Sequence, residues 1–214
     1  MKTLPSPCRR RTLGWAHGDT EVRMGVLDEG EQVTAADAAA WRDWLEANHA
    51  TAPGVWLLNV RGSAASGIYY EDAVRHALRF GWIDGPVRTF AENSVGQWFS
   101  PRRKGSGWAA TNKARLAELE AAGLLAPAGI RVIEAAKADG SWTVLDGPEA
   151  GIEPPELTAA LDAVPEARAA WEGFPKSVKK QGLTLIATAK RAETRDARIA
   201  KIVADAAVGR RPRQ

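Results

Sequence analysis

Trp82-Ile83-Asp84-Gly85, then Phe99-Ser100-Pro101-Arg102-Arg103, then Ser106-Gly107-Trp108 with Asn112 and Lys113, decide how this chain is read. Trp82 to Phe90 and Val95 to Arg102 read as two strands. The short polar Ala91-Glu92-Asn93-Ser94 between them makes a hairpin. Ser106 is placed to cap the helix that follows, Gly107 to Ala122, and Gly123 suits its stop. Indoles, a carboxylate, cations and an amide share this stretch. It is too polar for a plain core and too aromatic for a plain surface, which marks it as the candidate site.

Strand alternation puts Trp82, Asp84, Pro86, Arg88 and Phe90 on one face, and Gly96, Trp98, Ser100 and Arg102 on one face of the return strand. A hairpin centred near Asn93 sets Asp84 opposite Arg102 as a cross-strand ion pair. On the helix, Trp108, Asn112, Arg115, Leu116 and Leu119 fall on one stripe. Inward polar groups need partners. On a structural reading Asn112 caps a strand end and Arg115 meets a buried carboxylate. On a functional reading Trp82, Asp84, Arg102, Arg103, Trp108, Asn112 and Arg115 line a pocket for a small polar or anionic ligand. Lys104, Lys113, Arg191, Arg195 and Arg198 form a second set suited to anions.

Working outward, Thr34 opens a helix with Trp41, Trp44 and Leu45 on its apolar stripe. Val55 to Val60 is a buried strand, Gly62 to Gly67 a small-residue loop, and Glu71 to Phe80 a helix. Pro127 to Ala138 is another helix, and Ser141 to Leu145 a short strand. Residues 146–155 are rich in Pro and Gly and read as a linker. Four short helices follow, three entered at a proline, where the missing donor has no partner anyway. Trp142 and Trp171 are expected to pack the two parts together. The fold class is α+β: a small antiparallel sheet packed with helices over 33–145, then an all-helical module over 156–208. Residues 1–32 show no period and read as a disordered extension, and 209–214 as a basic tail.

Of the 214 residues, 45% are apolar and 26% charged, which suits a globular core. The single cysteine, Cys8, excludes an internal disulfide and a cysteine metal cluster. No apolar run is long enough to span a membrane. Arg9-Arg10-Arg11 has no apolar stretch after it, so no cleavable signal is expected and a cytoplasmic location is. The net charge of +3 is uneven: from Lys176 onward eleven cations face three anions. The partner expected is a small polar or anionic ligand or a protein. The sequence does not assign an oligomeric state.

Motifs for metal, nucleotide or nucleophilic chemistry are missing, so no cofactor, no metal ligand and no catalytic residue is assigned. Two alternatives stay open. Arg102, Arg103, Lys104, Lys113 and Arg115 with Trp98 and Trp108 have the cations and stacking rings of a nucleic-acid-binding module, although acidic helices dilute the field. An enzyme of unknown reaction with Asp84 in the pocket is the other.

Phe80-Gly-Trp-Ile-Asp-Gly85, Phe99-Ser-Pro-Arg-Arg103, Ser106-Gly-Trp108 and Asn112-Lys-Ala-Arg115 form one block; Ala189-Lys-Arg-Ala-Glu-Thr-Arg195 with Arg198-Ile-Ala-Lys-Ile-Val203 forms another. Together they resemble the bacterial YdeI/OmpD-associated family, labelled bacteriocin-protection proteins, over roughly Ala36 to Val208. The resemblance implies an α+β part, an OmdA-like helical C-terminal part, and a binding role in stress or bacteriocin protection with no named reaction. The chain departs from the family where Ala109 follows Trp108 in place of serine. It departs again at Gln181-Gly-Leu-Thr-Leu-Ile-Ala187, where an aromatic-rich, more acidic helix is usual.

Overall fold

The computed structural model describes residues 25, 27–60, 67–91 and 94–212. Most of the N-terminal extension, and the Gly62–Gly67 loop except Gly67, lie outside them. The order is β1 (Glu31–Thr34), α1 (Ala38–Asn48), β2 (Val55–Val60), α2 (Tyr70–Arg79), β3 (Trp82–Ala91), β4 (Ser94–Pro101), α3 (Ala110–Ala121), α4 (Pro127–Ala138), α5 (Asp146–Ala150), α6 (Pro155–Asp162), α7 (Pro165–Gly173), α8 (Lys176–Ala187) and α9 (Ala192–Ala207). The class is α+β with a helical C-terminal part.

The sheet runs β1-β2-β4-β3. β4 pairs antiparallel with β2 and β3, and β1 adds to β2 in parallel, so the sheet is mixed. Residues 31–34 are therefore strand, not extension followed by helix. The helix begins at Ala38, because Asp37 rather than Thr34 caps it: its Oδ1 accepts the Ala40 amide at 2.8 Å. Ser141–Leu145 is a turn rather than a strand, and the linker opens with the helix α5.

One core lies between sheet and helices, with Trp41, Leu45, Leu57, Leu78, Trp82, Phe99, Trp108 and Leu116 buried in it. The Trp41 indole donates to the Ala73 carbonyl at 3.1 Å, so its one polar atom is satisfied there. On the opposite sheet face Trp98 meets Trp56 edge-on, centroids 5.3 Å apart. Trp98 packs so tightly that a Cβ at Gly54 would lie 2.1 Å from its ring. Trp98 is thus a packing residue, not a stacking platform.

A second core joins α6, α7, α8 and α9 through Leu157, Leu161, Trp171, Leu183, Ile186, Ile199 and Ile202. Trp142 belongs with Trp108 in the first part, and Trp171 with Phe174 in the second. Neither indole bridges the parts. A carboxylate does: Glu149 on α5 accepts the Ala110 amide at 2.7 Å and pairs with Lys180 on α8 at 2.8 Å.

Candidate functional site

The hairpin sets Trp82 opposite Pro101 and Asp84 opposite Phe99. Asp84 and Arg102 are therefore not cross-strand partners. The register slips between Asp84 and Val87 and again between Thr89 and Ala91. Such irregularities absorb extra residues on one strand and re-aim its side chains. The Gln97 side chain holds the first of them by donating to the Gly85 carbonyl at 2.6 Å.

The candidate residues divide into two groups. Trp82, Arg102 and Trp108 come together in the lining of a cleft of about 470 Å³, which His49, Phe80 and, from α4, Arg131 and Val132 also line. Trp82 is fixed by its indole donating to the His49 carbonyl at 3.2 Å. Arg102 leaves β4 with its amide on the Gly81 carbonyl at 3.0 Å. Its guanidinium lies over Trp108, with Cζ 3.7 Å from the ring centroid. Nη2 donates to the Gly107 carbonyl at 2.5 Å. Nε and Nη1 are sealed from water and have no acceptor among the described residues. Burial pulls the Arg102 pKa down to about 10, partly countered by the charge of Asp84. Arg102 therefore stays a cation at neutral pH, in a place that penalises the charge.

Asp84, Asn112 and Arg115 belong to the other group, which two residues not singled out from the sequence complete. The Tyr70 hydroxyl donates to Asp84 at 2.7 Å. Arg115 pairs with Glu71 at 2.6 Å and donates to Asn112 at 2.8 Å. Arg75 ties Glu71 to Glu118. Hydrogen bonding from Arg115 lowers the Glu71 pKa to about 2. Burial, followed by the bond to Asp84, raises the Tyr70 phenol to about 12. This network is saturated by its own members. The helix period does signal Arg115's need for a carboxylate, but Glu71 lies 44 residues away in sequence and nothing local points to it.

The remaining cations are dispersed. Arg103 and Lys104 are exposed, and Lys104 lines the cleft. Lys113 pairs with Asp146 and lies near the Trp142 ring. Arg195 pairs with Glu156 at 3.1 Å, Arg198 donates to the Leu185 carbonyl, and Arg191 is exposed ahead of α9. Ser106 does not cap α3; Ala109 precedes that helix and Glu149 takes the first amide. Among the described residues no three His, Cys, Asp or Glu side chains converge as a metal ion requires.

The arrangement thus defines an α+β part carrying an aromatic-walled cleft with a buried cation, joined to a four-helix part. Residues 33–132 match the model of a domain of unknown function (DUF8412). Residues 151–209, the C-terminal part, match the family model described as Bacteriocin-protection, YdeI or OmpD-Associated. That match takes in the Ala189–Val203 block but not the aromatic block around Trp82. No curated protein and no solved structure matches the chain. No helix among the described residues is long and apolar enough to cross a membrane.

Proposed function

We propose that this is a binding protein in bacteriocin protection, acting by holding a small anionic ligand in the Trp82–Arg102–Trp108 cleft. The observation that carries the reading is Arg102. Buried charges are ordinarily paired or richly hydrogen-bonded. Here a carboxylate is not in contact, and two donor nitrogens have no acceptor. A cation kept in that condition on the wall of a cleft supplies an attraction that water does not screen. An anion in the cleft is attracted by this charge through space, without touching the sealed Nε and Nη1, and Trp82, Phe80 and Val132 give it apolar walls. The role in bacteriocin protection is supported by the family match over 151–209.

Titration of naphthalene-2-sulfonate, followed by calorimetry and by tryptophan fluorescence, tests the cleft. Saturable binding that weakens in Arg102→Met is expected; absent or unaltered binding would remove the reading. Survival of a bacteriocin-sensitive bacterium expressing either protein at equal level tests the role. Protection by the parent chain and its loss in Arg102→Met is expected.

A further inference from the structure

The cleft does not end at Arg102. Lys104, Gly105, Asp139 and Ser141 line it and also line an adjoining groove of about 480 Å³. The far wall of that groove is Thr188, Ala189 and Lys190, the connection between α8 and α9 in the C-terminal domain. Lys190 reaches back to the loop after β4: a Cβ placed on Gly105 would lie 3.4 Å from its Nζ. The two spaces adjoin along Lys104, Gly105, Asp139 and Ser141, and the α8–α9 connection lines the second.

Charge along these two spaces is lopsided. Arg102, Arg131, Lys104 and Lys190 line them against one carboxylate, Asp139. Arg131 and Lys190 have no hydrogen-bonded or ion-paired partner among the described residues. The Asp139 carboxyl is held below its ordinary pKa mainly by hydrogen bonding from Ser141, and the Lys104 charge adds to that. Asp139 is already engaged by the Ser141 amide at 3.0 Å. Trp82, Phe80, Val132 and Ala136 give the first space an apolar lining beside Arg102. Lys104 stands where the two spaces meet and Lys190 lines the second, so an apolar body seated in the first can carry a further anionic group toward the two lysines.

Resting on the cleft reading above, we infer that the ligand is an organic dianion with an apolar body, one anionic group facing Arg102 and the other held by Lys104 and Lys190. The C-terminal domain then completes the site rather than flanking it. A ligand with one charge fills the Arg102 end alone. A second charge adds the attraction of two ammonium groups, which are compact point charges without a fixed fork. They accept carboxylate, sulfonate or phosphate alike.

Calorimetric titration with naphthalene-2-sulfonate and naphthalene-2,6-disulfonate isolates the second charge, because the apolar body is the same. The disulfonate is expected to bind about fivefold tighter or more at low salt. Lys190→Glu and Lys190→Gln should abolish that advantage and leave monosulfonate affinity within about twofold of the parent, because Lys190 lines only the second space. Lys190 is exposed, so these variants keep the fold. Equal affinity for the two probes, or an advantage that survives Lys190→Glu, overturns the dianion inference while the cleft reading stands. Failure of both probes to bind overturns the cleft reading and the inference with it.

Discussion

The Arg102 guanidinium stacks on Trp108 at 3.7 Å, while Asp84, whose charge acts on it, is hydrogen-bonded to Tyr70 instead. The energies nearly cancel. A fall in pKa from 12.5 to about 10 corresponds to roughly 3 kcal/mol against the charged form. A desolvated cation–π contact returns about 2 kcal/mol, and a charged hydrogen bond to the Gly107 carbonyl about 1.5 kcal/mol. Arg102→Met keeps the unbranched stem as far as the position of Nε and removes the guanidinium that lies over Trp108. It should change unfolding stability by less than about 1 kcal/mol while weakening naphthalene-2-sulfonate binding, both measurable in one denaturant series with and without ligand. A loss above about 3 kcal/mol, the cost of breaking a buried pair, would instead make Arg102 a structural residue.

Glu71 behaves in the opposite way, since all its partners are present. Its pKa lies at about 2 against an ordinary 4.5, mainly through Arg115. A depressed carboxyl contributes stability that is present above pH 4.5 and is lost as pH falls toward 2. The side chain is 47% exposed, so solvent screening limits the effect to about 1 kcal/mol. Glu71→Gln should therefore lower stability at pH 7 by about that amount and flatten the acid limb between pH 4.5 and 2. Urea midpoints across that range check both.

These two arginines show what the sequence carries and what it does not. Alternation sets Arg102 on the face of Trp98, whereas its guanidinium lies over Trp108. The helix period sets Arg115 on the stripe of Trp108 and Asn112, where it is half-buried. The partner of each depends on register and on distant helices. Asp84 misses Arg102 because the hairpin closes with Ala91 opposite Ser94 and two irregularities in β3 then move Asp84 to Phe99. The first spans Gly85-Pro86, a pair that signals a bulge, and the second has no such marker. Most helices are legible because proline entries and apolar stripes are local signals. β1 is not, since Glu31-Gln-Val-Thr34 becomes a strand only by pairing with β2. The far wall of the groove is equally silent, because Lys190 reads as one more cation until folding brings it to Gly105.

Glu149 gives a prediction about how the parts are joined. α3 begins after Ala109, which has no side chain to cap it, and the Glu149 carboxylate accepts the Ala110 amide from 39 residues away. The same carboxylate meets Lys180 and lies below its ordinary pKa, chiefly for that reason. Glu149→Ala removes a cap worth about 1 kcal/mol and the anchor of α8 together. Amide exchange at Ala110 should accelerate, with protection at Leu116 and Leu119 kept. Lys180→Gln, which leaves the cap in place, should not accelerate Ala110. Equal effects of the two changes would mean that the pair, not the cap, holds α3.

Gly129 sets the width of the cleft. It sits in the first turn of α4, and a Cβ there would lie 2.3 Å from the Arg79 carbonyl oxygen and 2.9 Å from its carbon. That carbonyl also accepts the Ala126 amide at 3.0 Å, so it cannot move without breaking the bond that seats α4 on α2. Helix propensity favours alanine over glycine by about 1 kcal/mol, but overpacking against backbone costs about 1–3 kcal/mol. The steric cost wins, and Gly129→Ala should be destabilising. It should also weaken naphthalene-2-sulfonate binding, because α4 carries Arg131 and Val132, which line the cleft with Arg102. Gly147 in α5 is the contrasting case: nothing lies within 4 Å of a Cβ there, so Gly147→Ala should be neutral or stabilising by up to about 1 kcal/mol. The sign of the stability change should therefore reverse between two glycine-to-alanine changes in helices. Equal signs in urea unfolding would show that the approach of α4 to Arg79 does not set the cleft.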